Sequence, residues 1–147
     1  MKQKILVTGG TGYIGSHTVV ELQNSGYEVV IIDNLSNSSA DVVDNIEKVS
    51  GVRPIFEELD CLDYEGLNTV FAKHKGIKAI IHFAASKAVG ESVQKPLLYY
   101  RNNLLSLINI LELMPQHGVE GIVFSSSCTV YGQPDELPVT EKAPIKK

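Results

Sequence analysis

The 147-residue chain predicts an α/β fold, a doubly wound parallel sheet with its strands in the order 3-2-1-4-5. Three observations lead there. Five short apolar runs alternate with four stretches of helical periodicity. The run Val29-Val30-Ile31-Ile32 is β-branched and has no polar face, as suits a strand covered on both sides. Three glycines, Gly9, Gly12 and Gly15, stand where the first apolar run gives way to the first helical stretch.

Taken in order, Ile5, Leu6 and Val7 form a short strand that stops at Thr8. Ile14, Val19 and Leu22 give residues 13–24 a helical spacing, ended near Gly26. The second strand is 28–33. Residues 40–49 read as a helix stopped at Gly51, and 55–59 as a weaker strand closing at Asp60. A helix over 64–74 stops at Gly76, and the fourth strand is 79–83. A long helix runs from 96 to about 114 and ends near Gly118; the fifth strand is 121–125. Helical connections between parallel strands call for right-handed crossovers. The crevice of such a sheet lies where strands one and four diverge, which sets the glycine loop beside Phe83-Ala84-Ala85-Ser86-Lys87. Residues 1–132 are expected to form this domain. Beyond it Pro134, Pro138 and Pro144 punctuate a polar segment, so 133–147 is expected to be an extended tail.

Composition narrows the partners. The chain is 44% hydrophobic and 20% charged with a net charge of −4, which offers no general pull toward nucleic acid or an anionic membrane. No apolar run reaches membrane-spanning length, and Met1-Lys2-Gln3-Lys4 precedes only three strongly apolar residues, too few for a signal-peptide core. Cys61 and Cys128 are far apart and lack metal spacing, so a reduced, cytoplasmic setting is expected.

The chemistry concentrates at strand ends. Gly9, Gly12 and Gly15 permit a tight turn and a close backbone approach to a pyrophosphate, with the N–H groups of the following helix pointing at it. Asp33 ends the second strand, where a carboxylate accepts both ribose hydroxyls and repels a 2′-phosphate. No arginine follows in Asn34-Leu35-Ser36-Asn37-Ser38, which points to NAD over NADP; the alternative for Asp33 is a turn or cap residue. Asp60 and Cys61 either read an adenine edge or cap the next helix before Asp63 and Tyr64. Small residues in Phe83-Ala84-Ala85-Ser86-Lys87 admit the cofactor backbone-close, and Lys87 can meet a phosphate or ribose oxygen or simply be solvated. Asn102-Asn103 lies inside the long helix, where asparagine is a modest liability, so one of the pair faces either the site or solvent. Ser125, Ser126 and Ser127 follow the fifth strand, as hydroxyls for a reacting oxygen or as a serine-rich turn. His17, His74, His82 and His117 are read as structural, and neither cysteine has a basic neighbour that would make it a nucleophile.

Thr8 through Gly15 resembles the Thr-Gly-x-x-Gly-x-x-Gly signature of extended short-chain dehydrogenases/reductases. The run His82-Phe83-Ala84-Ala85-Ser86-Lys87-Ala88-Val89-Gly90-Glu91-Ser92-Val93-Gln94-Lys95-Pro96 is similar to the UDP-glucose 4-epimerase family within that group. Tyr99-Tyr100-Arg101-Asn102-Asn103 and Phe124 through Gly132 agree with it. The resemblance implies a Rossmann domain. It places Tyr13 and Ile14 over the pyrophosphate, Asp33 through Ser38 on the adenosine half, and Asp60 and Cys61 beside adenine. Phe83 through Lys87, Asn102 and Ser125 then line the nicotinamide side, and Ser127 positions the sugar oxygen. The implied reaction takes a hydride from C4 of a UDP-hexose and returns it to the opposite face of a 4-keto sugar. A homodimer at full length is also implied, with no nucleic-acid or membrane partner. A related nucleotide-sugar dehydratase or epimerase, or a non-catalytic NAD-binding module, is the alternative.

One departure stands out. The family base is the tyrosine of a Tyr-x-x-x-Lys motif, yet the residues four after the six tyrosines are His17, Ile31, Asn68, Asn103, Leu104 and Asp135. The chain is therefore expected to be an N-terminal portion, cut before the base, the later strands and the sugar-binding domain. Its sheet is then expected to have an open edge near Ile122 to Phe124.

Overall fold

The computed structural model describes residues 2–127, 131–133 and 137–145. The central strand is Lys4-Ile5-Leu6-Val7-Thr8, and its composition explains the rest of the architecture. Leu6 and Val7 are fully buried and Ile5 nearly so, although successive side chains point to opposite faces. Both faces must therefore be covered. The described chain supplies the cover in alternation: β1 (Lys4–Thr8), α1 (Tyr13–Asn24), β2 (Glu28–Asp33), α2 (Asp41–Ser50), β3 (Ile55–Glu58), α3 (Tyr64–Lys73), β4 (Ile77–His82), α4 (Val89–Gln94), α5 (Pro96–Gln116) and β5 (Gly121–Phe124).

The sheet order is β3-β2-β1-β4-β5 and every pairing is parallel, as the alternation predicts. Ile5, Val7, Val29 and Ile31 face Val19 of α1 and Ile46 of α2. Leu6, Val30, Ile32 and Ile80 face Leu67, Val70 and Phe71 of α3 and Ile110 and Leu113 of α5. Each such large side chain, fully buried, favours folding by about 1.5–3 kcal/mol. Because all strands run the same way, β1, β2, β3 and β4 deliver their C-terminal ends to one rim.

The structure differs from the sequence reading in two places. Helix α4 was not anticipated: it is 6 residues long and buries none of them, so it leaves no apolar stripe to read. It is tied to α5 by the Tyr99 hydroxyl, which donates to Glu91 Oε2 at 2.9 Å. Helix α5 runs on to Gln116 past Pro115, which has no N–H to give to the Leu111 carbonyl and stands one residue before the helix ends. One side of α5 packs on the core through Tyr99, Ser106, Ile110 and Leu113, while Leu97, Tyr100, Leu104, Ile108 and Leu111 form an exposed stripe. Strand β5 ends the sheet, with Val123 and Phe124 60% and 53% exposed. Beyond it, residues 131–133 and 137–145 contain no α-helix or strand. Cys128 and Pro134 lie outside the described residues.

Candidate cofactor site

The rim is built around the β1–α1 turn. Gly9 has φ +69° and donates its N–H to the Ile32 carbonyl at 2.8 Å, which draws the turn across the end of β2. A Cβ on Gly9 would stand 2.8 Å from the Ala84 backbone nitrogen, so the turn lies backbone to backbone against the exit of β4. A Cβ on Gly15 would collide with the Gly9 carbonyl oxygen, and one on Gly12 would come within 3.2 Å of it. The loop coils this tightly only because these residues have no side chain.

Helix α1 then begins without a side-chain cap at Gly12 and without an acid in its first turn. The N–H groups of its first turn remain available at the rim, at the positive end of the helix dipole. Tyr13 and Ile14 stand exposed above them, Tyr13 at 82%.

Asp33 closes β2 and ties two loops together. Its Oδ2 accepts from the Thr11 N–H at 3.1 Å; its Oδ1 accepts from the Leu35 N–H at 3.0 Å and from the Ser38 hydroxyl at 3.3 Å. Ser38 also lies 2.7 Å, Oγ to Oγ1, from Thr11. The turn puts Leu35 at φ +57°, a left-handed conformation rare for a branched side chain. A carboxylate offers about four lone-pair sites, so one stays open, and the long Ser38 bond is the easiest to exchange. Next to it, Asp60 accepts from Leu62 N–H at 2.9 Å and from Asn34 Nδ2 at 3.0 Å. The Asn34 Oδ1 in turn accepts from the Ser36 N–H at 3.1 Å. Ser36 and Asn37 are exposed. Burial pushes the Cys61 thiol up to about 12, with the Asp60 and Asp33 charges adding to the effect, so it is an inert core group. Cys61 offers the rim only its backbone, and its carbonyl accepts from Asn109 Nδ2 at 3.0 Å.

The exit of β4 is held by Thr8. Its carbonyl accepts from Phe83 N–H at 3.1 Å and its hydroxyl oxygen from Ala84 N–H at 3.3 Å, while Oγ1 lies 2.7 Å from His82 Nδ1. A neutral ring protonated on Nε2 lets the Thr8 hydroxyl donate to Nδ1. Burial alone pushes His82 down to about 4, in keeping with a neutral imidazole. Further along, Ser86 is gripped by α5: Asn103 Oδ1 accepts its N–H at 2.8 Å, Asn103 Nδ2 donates to its carbonyl at 2.9 Å, and Asn102 Nδ2 donates to its Oγ at 2.9 Å. Ala85 and Lys87 are exposed on either side. Ser125 N–H donates to the His82 carbonyl at 3.2 Å, and Ser125, Ser126 and Ser127 stand exposed at the end of β5.

The rim thus brings together Gly9, Gly12, Gly15, Asp33, Asp60, the Phe83 to Lys87 segment and Asn102. Both asparagines of the α5 pair turn to Ser86 at the rim. Sequence reasoning missed Thr8 and Thr11 as anchors; it singled out the Asn102-Asn103 pair from asparagine inside a helix but did not assign Asn103 to the Ser86 backbone. Three histidines outside the rim have structural partners: His17 with Tyr13 O at 2.8 Å, His74 with Glu57 at 2.5 Å and His117 with Asn68 at 2.7 Å. Among the described residues no group of histidine, cysteine and carboxylates could hold a metal ion, and no helix is long and apolar enough to cross a membrane.

Comparison with known proteins agrees with this geometry. A UDP-glucose 4-epimerase of Bacillus subtilis is 56% identical over 141 residues, covering 96% of this chain and 41% of its own length. The human UDP-glucose 4-epimerase is 51% identical over 150 residues, covering 98% of this chain and 43% of its own length. The chain therefore spans about two-fifths of the length of the curated relatives it matches. Among solved structures, the Bifidobacterium longum UDP-glucose 4-epimerase in complex with NAD+ and UDP superposes with a TM-score of 0.88 at 47% identity, covering 97% of this chain and 42% of that one. The Stenotrophomonas maltophila enzyme with bound NAD and formylated UDP-arabinopyranose gives the same TM-score at 46% identity, covering 98% and 43%. The profile of the NAD dependent epimerase/dehydratase family matches residues 5–147, and the chain belongs to that family.

Proposed function

We propose that this chain is the NAD-holding part of an enzyme that interconverts UDP-glucose and UDP-galactose at C4. The observation that carries the reading is the contact of the bare Gly9 backbone with Ala84, beside an uncapped α1. The uncapped helix above a turn without side chains offers donors to a pyrophosphate. Bound NAD would supply the acceptor for the C4 hydride. The uncapped N–H groups under Tyr13 and Ile14 hold the pyrophosphate. Asp33, with Asn34, Leu35, Ser36, Asn37 and Ser38 around it, takes the adenosine ribose on its open lone pair, and Asp60 with the Cys61 backbone borders adenine. Phe83, Ala84, Ala85, Ser86, Lys87, Asn102 and Ser125 line the nicotinamide half, and the Ser127 hydroxyl orients the sugar oxygen.

Residues 1–132 serve in this reading as the dinucleotide domain and 133–147 as an extended tail. The setting is cytoplasmic and the role lies in galactose metabolism. The exposed stripe Leu97, Tyr100, Leu104, Ile108 and Leu111 has the spacing of a helix-pairing seam, which supports a homodimer at full length. No tyrosine here has a lysine four residues on, so the 147-residue chain by itself is expected to bind NAD without epimerising UDP-galactose.

Calorimetric titration of the chain with NAD and with NADP tests the cofactor assignment. NAD is expected to bind at least about tenfold more tightly, since a 2′-phosphate would face the Asp33 carboxylate. Equal affinity, or binding of neither, removes the assignment. Detectable epimerisation by the chain of confirmed mass would overturn the statement about activity.

A further inference from the structure

We infer that Asn103 is a positioning residue whose side-chain amide holds the Ser86 backbone and so sets where Lys87 stands at the rim. The inference rests on the cofactor reading above and extends it to a residue outside the predicted site.

Asparagine in the interior of a long helix is unfavourable, and α5 carries three, Asn102, Asn103 and Asn109, among its apolar residues. Asn103 is nonetheless half-buried there and bonded through both ends of its amide. Its Oδ1 accepts the Ser86 N–H at 2.8 Å and its Nδ2 donates to the Ser86 carbonyl at 2.9 Å. One planar amide thereby satisfies both backbone groups of a single residue, as a neighbouring strand would. Strand β4 has ended at His82, so Ser86 has no ladder partner, and its polar backbone needs one. Asn102 Nδ2 donates to Ser86 Oγ at 2.9 Å and to Asn103 Oδ1 at 3.2 Å, which fixes the amide's orientation: its oxygen faces two donors.

The consequence falls on Lys87. The segment leaving β4 is pinned first at Phe83 and Ala84 by Thr8, then at Ser86 by Asn103. Lys87 is the next residue. It is exposed and no described residue pairs with its ammonium, so the backbone alone determines where that charge starts from. Alanine at 103 would release both backbone bonds. Aspartate would keep the acceptor but set a carboxylate oxygen against the Ser86 carbonyl.

The test is a double-mutant cycle read by NAD titration, with thermal midpoints measured in parallel. Asn103→Ala is expected to weaken NAD binding about tenfold, on the scale of a lost hydrogen-bond pair. Lys87→Ala is expected to weaken it too, and the double variant is expected to be no worse than about the weaker-binding single variant, because the two changes remove one contribution. Three results would overturn the inference: a lower midpoint with unchanged affinity in Asn103→Ala, full additivity with Lys87→Ala, or an effect of Asn103→Ala where Lys87→Ala has none. Should Asn103→Ala not fold, Asn103→Asp takes its place; a smaller weakening in the same non-additive pattern supports the inference, and wild-type affinity overturns it. A wild-type chain that does not bind NAD is a different failure, since it removes the cofactor reading itself. Wild-type binding with an unaffected Asn103→Ala removes this inference alone.

Discussion

Helices α1 and α3 start at the same rim, with tyrosine in the first helical position and glycine in the third, yet their first turns are built to opposite ends. Helix α3 is closed: Asp63 caps it by accepting from the Gly66 N–H at 3.0 Å, and Glu65 stands in the first turn. Helix α1 is open: Gly12 brings no side-chain cap and the first turn has no acid. A good cap stabilises a helix by about 1 kcal/mol, so the open end forgoes stability that the closed end keeps. A helix end with free donors suits an anion, whereas a capped one is closed to it.

The largest expected effect separates the two glycines. A Cβ on Gly15 meets the Gly9 carbonyl and the Gly10 Cα, which are backbone atoms of the turn itself, so nothing cheap can move. Gly15→Ala is expected to abolish measurable NAD binding and to lower stability by about 2 kcal/mol. A Cβ on Gly66 meets the Asp63 carboxylate at 2.5 Å and Leu59 Cδ1 at 2.6 Å, both ends of side chains that can shift. Gly66→Ala is expected to leave NAD affinity unchanged and to cost less. Calorimetric titration and thermal denaturation of both variants compare them directly; equal effects on NAD would mean that the open turn is not the cofactor's.

Asp33 comes next. It accepts three hydrogen bonds that hold the glycine turn to the β2–α2 loop. Asp33→Ala is expected to weaken NAD binding by about tenfold or more, since bonds to a charged group contribute about 1.5–3 kcal/mol each. Unchanged affinity in a titration would remove its ribose role and leave it a strut.

How much of this was legible beforehand follows from the range of each signal. Val29-Val30-Ile31-Ile32 announced a doubly covered strand because burial on both faces is written into consecutive residues. The glycine turn and Asp33 were legible because spacing within one βα unit is local. The targets of Asn103 and Thr8 were not, because each acts on a backbone 17 or 76 residues away; the asparagine pair stood out in its helix, but what it holds did not. Helix α4 was missed for the related reason that it buries nothing. The left-handed Leu35 was not read because leucine's own preference argues against that conformation, although the Asp33 carboxylate that accepts its N–H is only two residues away.

At the closed helix a smaller effect is expected. Asp63→Ala should reduce stability by about 1 kcal/mol in a denaturant melt and leave NAD affinity as it was. A change in NAD affinity would show that the two helix ends are not independent, contrary to the division between scaffold and site.

The smallest effect lies at the other end of α3, where Glu57 of β3 accepts from Lys73 Nζ at 2.7 Å and pairs with His74 Nε2 at 2.5 Å. The Lys73 ammonium there also suits the negative end of the helix dipole. Burial by itself pushes the Glu57 carboxyl up, but the hydrogen bonds from Lys73 and then His74 outweigh it and hold the group below its ordinary value of 4.5. A carboxyl whose folded pKa is depressed adds stability above its unfolded pKa and loses it as pH falls through the folded one. Because Lys73 is 60% exposed, water screens the pair and the contribution should stay below about 1 kcal/mol. Glu57→Gln is therefore expected to be slightly less stable than wild type at pH 7, with the gap closing as pH drops below 4.5. Urea melts of both proteins across that range check it, with NAD affinity at neutral pH expected to be equal. A gap that persists in acid would mean that Glu57 holds α3 by shape and neutral hydrogen bonding, and that the closed helix needs no charge at either end.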